Sequence, residues 1–365
     1  MRLVPPYIES LEPYKPGKPI SELQRELGIS HVVKLASNEN PLGPSPLAIE
    51  SLKINLRDLH LYPNGGLDLR EALALRFNLR LENVIAGSGS EGIMATIIRT
   101  FLGDDDEVLT SEGTFVGFYV LARSRGVKMT LVPQRSYRFD LEAIAAAITP
   151  RTKLVYLANP NNPTGTIFTR PEFDRFMESV PPHVLIILDE AYFEYAQANP
   201  AYPDSMQYRY DNVITLRTFS KIYGLAGIRI GYGFAHGVLI GNLLKVKLPF
   251  EPSALAQIAG IAALDDVAFL RRSLEVNDAG RRFLVPALTS LGLTVVPSEA
   301  NFLLVPMDSE MQVIDVYTGL LHRGIIIRPL AAFGLPRCLR ITVGTREENE
   351  ECVSAMSSVL SAVHS

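Results

Sequence analysis

The chain has 365 residues, 47% of them hydrophobic and 20% charged, with a formal net charge of −4. Single cores stop growing at about 250–300 residues, so one large domain with a smaller companion is the expected build. No block of like charge runs along the chain, which argues against a nucleic-acid surface or a charged disordered tail. Two cysteines, Cys338 and Cys352, cannot build a disulfide framework, and the six histidines show no HxH or HExxH spacing, so no protein-bound metal is expected.

In chain order, the N-terminus has no apolar stretch suited to a signal peptide, and residues 1–35 are proline-rich, reading as an arm rather than a core element. From about Asn83 to Ala235, short β-branched runs alternate with segments of helical spacing. The runs are Val84–Ala86, Val108–Thr110, Lys128–Val132, Leu154–Leu157, Val184–Leu188, Val213–Leu216 and Arg229–Tyr232. That alternation predicts an α/β fold with a mainly parallel sheet flanked by helices. The longest apolar stretch, near Leu225–Leu244, is broken by Arg229 and His236, so no membrane-spanning segment is expected. After Pro252 the texture changes. A helical stretch from Ser253 to about Leu291 is followed by a strand (Asn301–Val305), a helix (Val313–Arg323), a strand (Cys338–Val343) and a terminal helix, which predicts a smaller α+β domain. The expected division is 1–35 for an arm that contributes to the small domain and covers the site, 36–251 for the large domain and 252–365 for the small one. A cytoplasmic protein is the expectation.

Ligands of open parallel sheets bind at the carboxyl ends of the strands. Four polar signals fall at such ends. Gly87-Ser-Gly-Ser-Glu-Gly92 matches G-x-G-x-x-G and places small residues before a helix N-terminus, where amides can approach a phosphate. Alone it fits a nicotinamide dehydrogenase, a different phosphate ligand or a plain turn. Ala158-Asn-Pro-Asn-Asn-Pro-Thr-Gly165 is a stiff polar turn that can aim a side-chain amide. Asp189 ends an apolar strand in Leu185-Ile-Ile-Leu-Asp-Glu-Ala-Tyr192, and a buried carboxylate there needs a cationic partner. Without a G-x-x-x-x-G-K-[ST] loop in the chain, a nucleotide-triphosphate role for it falls away. Lys221, amid the glycines and apolar residues of Thr218–Tyr232, is placed to form a Schiff base with a carbonyl.

Taken together, Ser37-Asn-Glu-Asn-Pro-Leu-Gly-Pro-Ser-Pro46, Asn-Pro-Asn-Asn-Pro-Thr-Gly, Asp-Glu-Ala-Tyr, Ser-Lys-x-x-x-Leu-Ala-Gly-x-Arg-x-Gly-Tyr and Leu339-Arg-Ile-Thr-Val-Gly-Thr345 occur in the order seen in fold-type I pyridoxal-phosphate (PLP)-dependent aminotransferases. The set resembles their histidinol-phosphate aminotransferase branch and spans nearly the whole chain. The resemblance implies a ping-pong transaminase acting between L-histidinol phosphate and 2-oxoglutarate, with the cofactor held as an internal aldimine on Lys221.

It also implies roles. Lys221 is the base that moves a proton. Asp189 pairs with the pyridinium nitrogen, Tyr192 and Asn162 bond the ring oxygen, and Phe115 stacks on the ring. Ser90, Glu91, Thr218, Ser220 and Arg229 hold the cofactor phosphate, joined by Tyr62 from the neighbouring subunit of a homodimer with shared sites. Arg340 clamps the substrate anion, with Arg328, Tyr14 and Asn162 as further contacts. Glu91-Gly92, Gly113 and Asn64 depart from residues usual in the family. An aromatic amino acid aminotransferase and a threonine-phosphate-type decarboxylase share most of these motifs. A PLP-binding regulator would need a fused helix-turn-helix domain, for which the proline-rich arm is too short.

Overall fold

The computed structural model of the protein describes residues 3–13, 17–208 and 210–363. The first strand, β1 (Val33–Lys34), is short. Seven more follow between residues 84 and 234: β2 (Val84–Gly87), β3 (Glu107–Ser111), β4 (Lys128–Val132), β5 (Thr152–Ala158), β6 (Leu185–Asp189), β7 (Val213–Thr218) and β8 (Gly231–Phe234). They form one sheet in the order β2-β8-β7-β6-β5-β3-β4, in which only β8 runs antiparallel to its neighbours. Such strands are covered on both faces, which explains why Leu185–Leu188 reads as a continuous apolar run rather than an alternating one. The expected strand at Arg229–Tyr232 starts two residues later. Arg229 has φ 58°, left-handed backbone that cannot join a ladder, and it follows a 3-10 turn at Ala226–Ile228.

The C-terminal part carries β9 (Phe302–Pro306), β10 (Ile325–Ile326), β11 (Arg328–Pro329) and β12 (Cys338–Thr342). Strands β11, β12 and β9 make an antiparallel sheet, while β1 pairs in parallel with β10. The helix Glu310–Leu321 and the terminal helix, which starts at Arg346, cover this sheet, and Leu303, Leu339, Val316 and Met356 meet in its core.

Two expectations need correction. The first 35 residues are not all arm, because Ile20–Leu27 is an amphipathic helix closed by the left-handed Gly28. Its Leu23 is buried against Ala36 and Ile326. The stretch from Ser253 to Leu291 is two helices, Ala254–Asp265 and Val267–Ser290, separated at Asp266. One Asp266 oxygen accepts from the Phe269 amide (3.2 Å). The other accepts from the Ser45 hydroxyl (2.6 Å) and the Leu47 amide (3.2 Å), so this carboxylate caps two helices at once. The helix Ala254–Asp265 packs on the helices Pro46–Asn55 and Leu67–Arg76, in the core that lies over β2 and β8. Packing passes from the large core to the small one within Val267–Ser290: Leu270 and Leu274 touch the first, Leu284 and Leu288 the second.

Beside β7 lies a buried charge cluster. Arg217 is bonded to Glu190 (2.8 Å) and Asp204 (3.0 Å), and its guanidinium lies 3.4 Å from the Phe193 ring centre. Glu194 is buried nearby, and burial pushes its carboxyl up to about 7, against the pull of Arg217.

Candidate active site

Strand ends bring the polar signals together. Ala158 and Asp189 are register partners at the ends of β5 and β6, and Thr218 ends β7 next to them. On the far side, β2 runs into the helix Gly89–Phe101 through a tight turn. One cavity of about 150 Å³ is lined by fifteen residues, among them Ser90, Glu91, Phe115, Asn162, Asp189, Tyr192, Thr218, Ser220, Lys221 and Arg229, the ten that were expected at a cofactor site, and Tyr156, which was not.

Asp189 forms one wall. Its Oδ2 accepts from the Tyr156 hydroxyl (2.7 Å) and its Oδ1 from the Ala191 amide (3.1 Å). Burial pushes its carboxyl up to about 6, while these two bonds and the charge of Lys221 pull the other way. Among the described residues Asp189 makes no ion pair. Two neutral donors hold a buried carboxylate beside a cavity, an arrangement that fits a cationic ring nitrogen as the missing partner.

Tyr156 was not singled out from the sequence. It sits inside the apolar run of β5, fully buried, with its ring stacked on Phe118 at 4.1 Å. The available signal was alternation: Tyr156 shares a strand face with Ala158, the register partner of Asp189.

Opposite lies an anion cup. A Cβ added to Gly231 would come within 2.3 Å of the Ser90 amide nitrogen, and one added to Gly89 within 2.8 Å of the Arg229 guanidinium. Bare backbone therefore lets β8, the helix N-terminus and Arg229 converge. Arg229 Nη1 donates to the Ala226 carbonyl (3.0 Å), and Nη2 stands 3.9 Å from Glu91. Thr218 and Ser220 join their hydroxyls at 3.0 Å on the same side. Phe115 folds back over Gly117, where any Cβ would lie 2.5 Å from its ring. Lys221 Nζ reaches the Ser37 carbonyl (3.5 Å) and lies 5.6 Å from the centre of the Tyr192 ring.

Arg340, buried on β12, donates from Nη1 to Asn162 Oδ1 (2.5 Å) and from Nη2 to the Ala36 carbonyl (2.7 Å). Its register partner on β11 is Arg328. A Cβ on Gly17 would lie 3.5 Å from the Arg328 guanidinium, so the N-terminal arm passes beside it. Tyr14 falls outside the described residues. Tyr62 does not line the cavity of its own chain; it is 81% exposed and stacks on Phe250 at 4.4 Å.

Two departures from the family pattern have local reasons. Gly113 has φ 59°, closed to proline, and its carbonyl accepts from Asn161 and Gln134 (3.0 Å each). Asn64 caps the helix that starts at Leu67, accepting from the Leu67 amide (3.1 Å) and donating to Asp68 (2.7 Å). Nothing in the structure explains Gly92 over the usual residue.

A lysine and a buried aspartate at adjoining strand ends, facing an anion cup at a helix N-terminus, define a fold-type I PLP enzyme. The family of class I and II aminotransferases matches residues 30–356, and the chain belongs to that family. It is 46% identical over 357 residues to a histidinol-phosphate aminotransferase of Moorella thermoacetica, covering 97% of this chain and 92% of that one. It is also 46% identical over 366 residues to a histidinol-phosphate aminotransferase of an Anaeromyxobacter species, covering 99% of this chain and all of the relative. The crystal structure of the Sinorhizobium meliloti histidinol-phosphate aminotransferase in complex with pyridoxal-5'-phosphate superposes with a TM-score of 0.90 at 30% identity, covering 100% of this chain and 99% of that one. The protein is thus a transaminase of the histidinol-phosphate aminotransferase branch, with pyridoxal phosphate as its cofactor. The dehydrogenase reading of Gly87–Gly92 is set aside.

Proposed function

We propose that the protein transfers the amino group of L-histidinol phosphate to 2-oxoglutarate. The observation that carries this reading is the Arg328–Arg340 pair beside Asn162, two guanidinium groups where an ordinary carboxylate needs one. A phosphate monoester carries nearly two negative charges at neutral pH, and a carboxylate one. Both substrates of a ping-pong cycle then present an anion to the same end of the site.

Bound pyridoxal phosphate supplies a carbonyl carbon for an amine and a ring that accepts electrons. The residues do the rest. Lys221 would hold the cofactor covalently through Nζ and, once freed by the incoming substrate amine, would be the base that moves a proton during the transfer. Asp189 stays ionised beside the ring nitrogen, helped by Tyr156 and the Ala191 amide. Tyr192 and Asn162 donate to the ring oxygen, and Phe115 covers one ring face. The amides of Ser90 and Glu91, with Thr218, Ser220 and Arg229, hold the phosphate.

The site is completed by a second copy of the chain. Ile54, Leu56, Leu59, Leu61, Leu248 and Phe250 are exposed on the two chain segments that carry Tyr62 and its ring partner Phe250, an apolar surface of the kind that marks an interface. The homodimer reading rests on this patch and on Tyr62 being exposed outside the cavity of its own chain. The N-terminal (1–35), large (36–251) and small (252–365) segments are proposed as the units of the fold, with the helix Ile20–Leu27 joined to the small one and Val267–Ser290 as the clasp between the last two. No helix among the described residues is long and apolar enough to cross a membrane. We place the protein in the cytoplasm, consistent with small soluble substrates.

The test is a coupled assay of glutamate formation from histidinol phosphate and 2-oxoglutarate, with phenylalanine as the competing donor. Carbon dioxide release in place of glutamate would overturn the reading in favour of a decarboxylase. A preference for phenylalanine would make it an aromatic aminotransferase.

A further inference from the structure

Asn38 is almost fully buried in left-handed backbone (φ 58°), the conformation that asparagine tolerates better than most residues. Four hydrogen bonds converge on it. Its amide donates to the Thr342 hydroxyl oxygen (3.0 Å), and that hydroxyl passes its own proton to Asn38 Oδ1 (3.1 Å). Its carbonyl accepts from Asn301 Nδ2 (3.0 Å). Its Nδ2 donates to the Tyr192 hydroxyl oxygen (2.8 Å).

The order of these bonds fixes a direction. Thr342 accepts from the Asn38 backbone N–H with one lone pair and gives its own proton to the asparagine oxygen. That sets which end of the side-chain amide is oxygen and leaves Nδ2 facing Tyr192. Tyr192, receiving a proton at its oxygen, keeps its own O–H for another acceptor. The Tyr192 side chain lines the cavity, as Asn38 does not.

We propose that Asn38 is a positioning residue that aims the Tyr192 hydroxyl proton into the cofactor cavity, and that β12 controls this aim through Thr342. Thr342 and Arg340 lie two residues apart on one face of β12, and Arg340 is tied to the Ala36 carbonyl as Thr342 is to Asn38. The strand that bears the anion-binding arginine and the tyrosine that meets the cofactor oxygen are thereby joined through residues 36–38. This rests on the proposed role of Tyr192 as a donor to the ring oxygen.

The experiment is a pH titration of the visible absorption band of the cofactor-loaded enzyme. It compares wild type, Asn38→Gly, Tyr192→Phe and the double variant. Glycine keeps the left-handed backbone available, so the fold survives the loss of the side chain. Asn38→Gly should move the midpoint in the same direction as Tyr192→Phe, by a smaller amount, and add nothing in the Tyr192→Phe background. Asn38→Asp should shift it at least as far as Asn38→Gly, because a carboxylate takes the tyrosine proton for itself. A midpoint unchanged in Asn38→Gly while Tyr192→Phe shifts it overturns the role of Asn38 alone. An additive shift in the double variant does so too. No shift in Tyr192→Phe overturns the underlying role of Tyr192, a separate outcome.

Discussion

Arg328 and Arg340 stand directly opposite one another in the β11–β12 pair, and both guanidinium groups flank the ring of Phe333, at 5.8 and 5.7 Å. Residues paired in this way share a sheet face, and like charges so placed destabilise it by roughly 0.2–1 kcal/mol. The aromatic ring between them offsets part of that repulsion. An anion with two charges offsets more than one with a single charge.

Arg328→Ala should therefore lower kcat/KM for histidinol phosphate thirtyfold or more, the equivalent of about 2–5 kcal/mol for a desolvated charge pair. The same variant should lose only a few-fold with phenylalanine. Steady-state kinetics with both donors decide it. Equal small losses would remove the case for a phosphate-specific end of the site.

Asp189 must be ionised to hold a cationic ring nitrogen, and burial pushes its carboxyl up to about 6 in the cofactor-free chain. Below that pH the group is neutral. Reconstitution of apoenzyme with pyridoxal phosphate should weaken as pH falls through about 6, and Asp189→Asn should abolish the dependence. The variant should fold and retain cofactor through Lys221, yet lose kcat by at least about a hundredfold, since the ring proton is no longer held. A pH-independent wild type, measured by fluorescence quenching on titration, would count against this.

If Tyr62 reaches the partner's phosphate, two inactive chains can repair each other. Lys221→Ala mixed with a severely impaired Tyr62→Ala should regain part of the wild-type activity, because one site in each hybrid carries both native residues. Absence of recovery, with subunit exchange verified by mass spectrometry, would mean that the site is complete within one chain.

Glu194 offers a pH test of stability. Its carboxyl is raised to about 7 by burial, against 4.5 in the unfolded chain. The folded state therefore binds the extra proton between those values, so this contribution is present below about pH 4.5 and lost as pH rises through about 7. Glu194→Gln is neutral at every pH and should gain on wild type by up to about 3 kcal/mol between pH 4.5 and 8. Urea unfolding of both proteins at pH 5 and pH 8 measures the difference. A constant difference between them would show that Arg217 keeps Glu194 ionised throughout.

The cavity that forms the candidate site was readable from sequence because its groups sit at strand ends in local motifs: Asp189 closes an apolar run, and Lys221 stands among glycines. Residues whose meaning depends on a distant partner were not readable. Tyr156 is one aromatic in a β-branched run until Asp189, 33 residues on, comes alongside. Asn38 lay inside a recognised motif, but its role needs Thr342, 304 residues away. The helix Ile20–Leu27 was hidden by prolines that flank rather than interrupt it. The break at Asp266 was hidden because apolar periodicity runs on through it; the cap on Phe269 is local, and only the second role of this carboxylate, on Ser45, is tertiary.

The anion cup has a consequence for engineering. Arg229 supplies its cation from left-handed backbone, which costs an ordinary side chain about 1–2 kcal/mol, and Gly89 leaves the room that its guanidinium fills. Arg229→Gly relaxes the backbone and empties the cup in one change. A screen for heat resistance run without cofactor would enrich that replacement and deliver tougher proteins that no longer load. Run with saturating cofactor, the ranking inverts, because the ligand rewards only chains that keep the arginine.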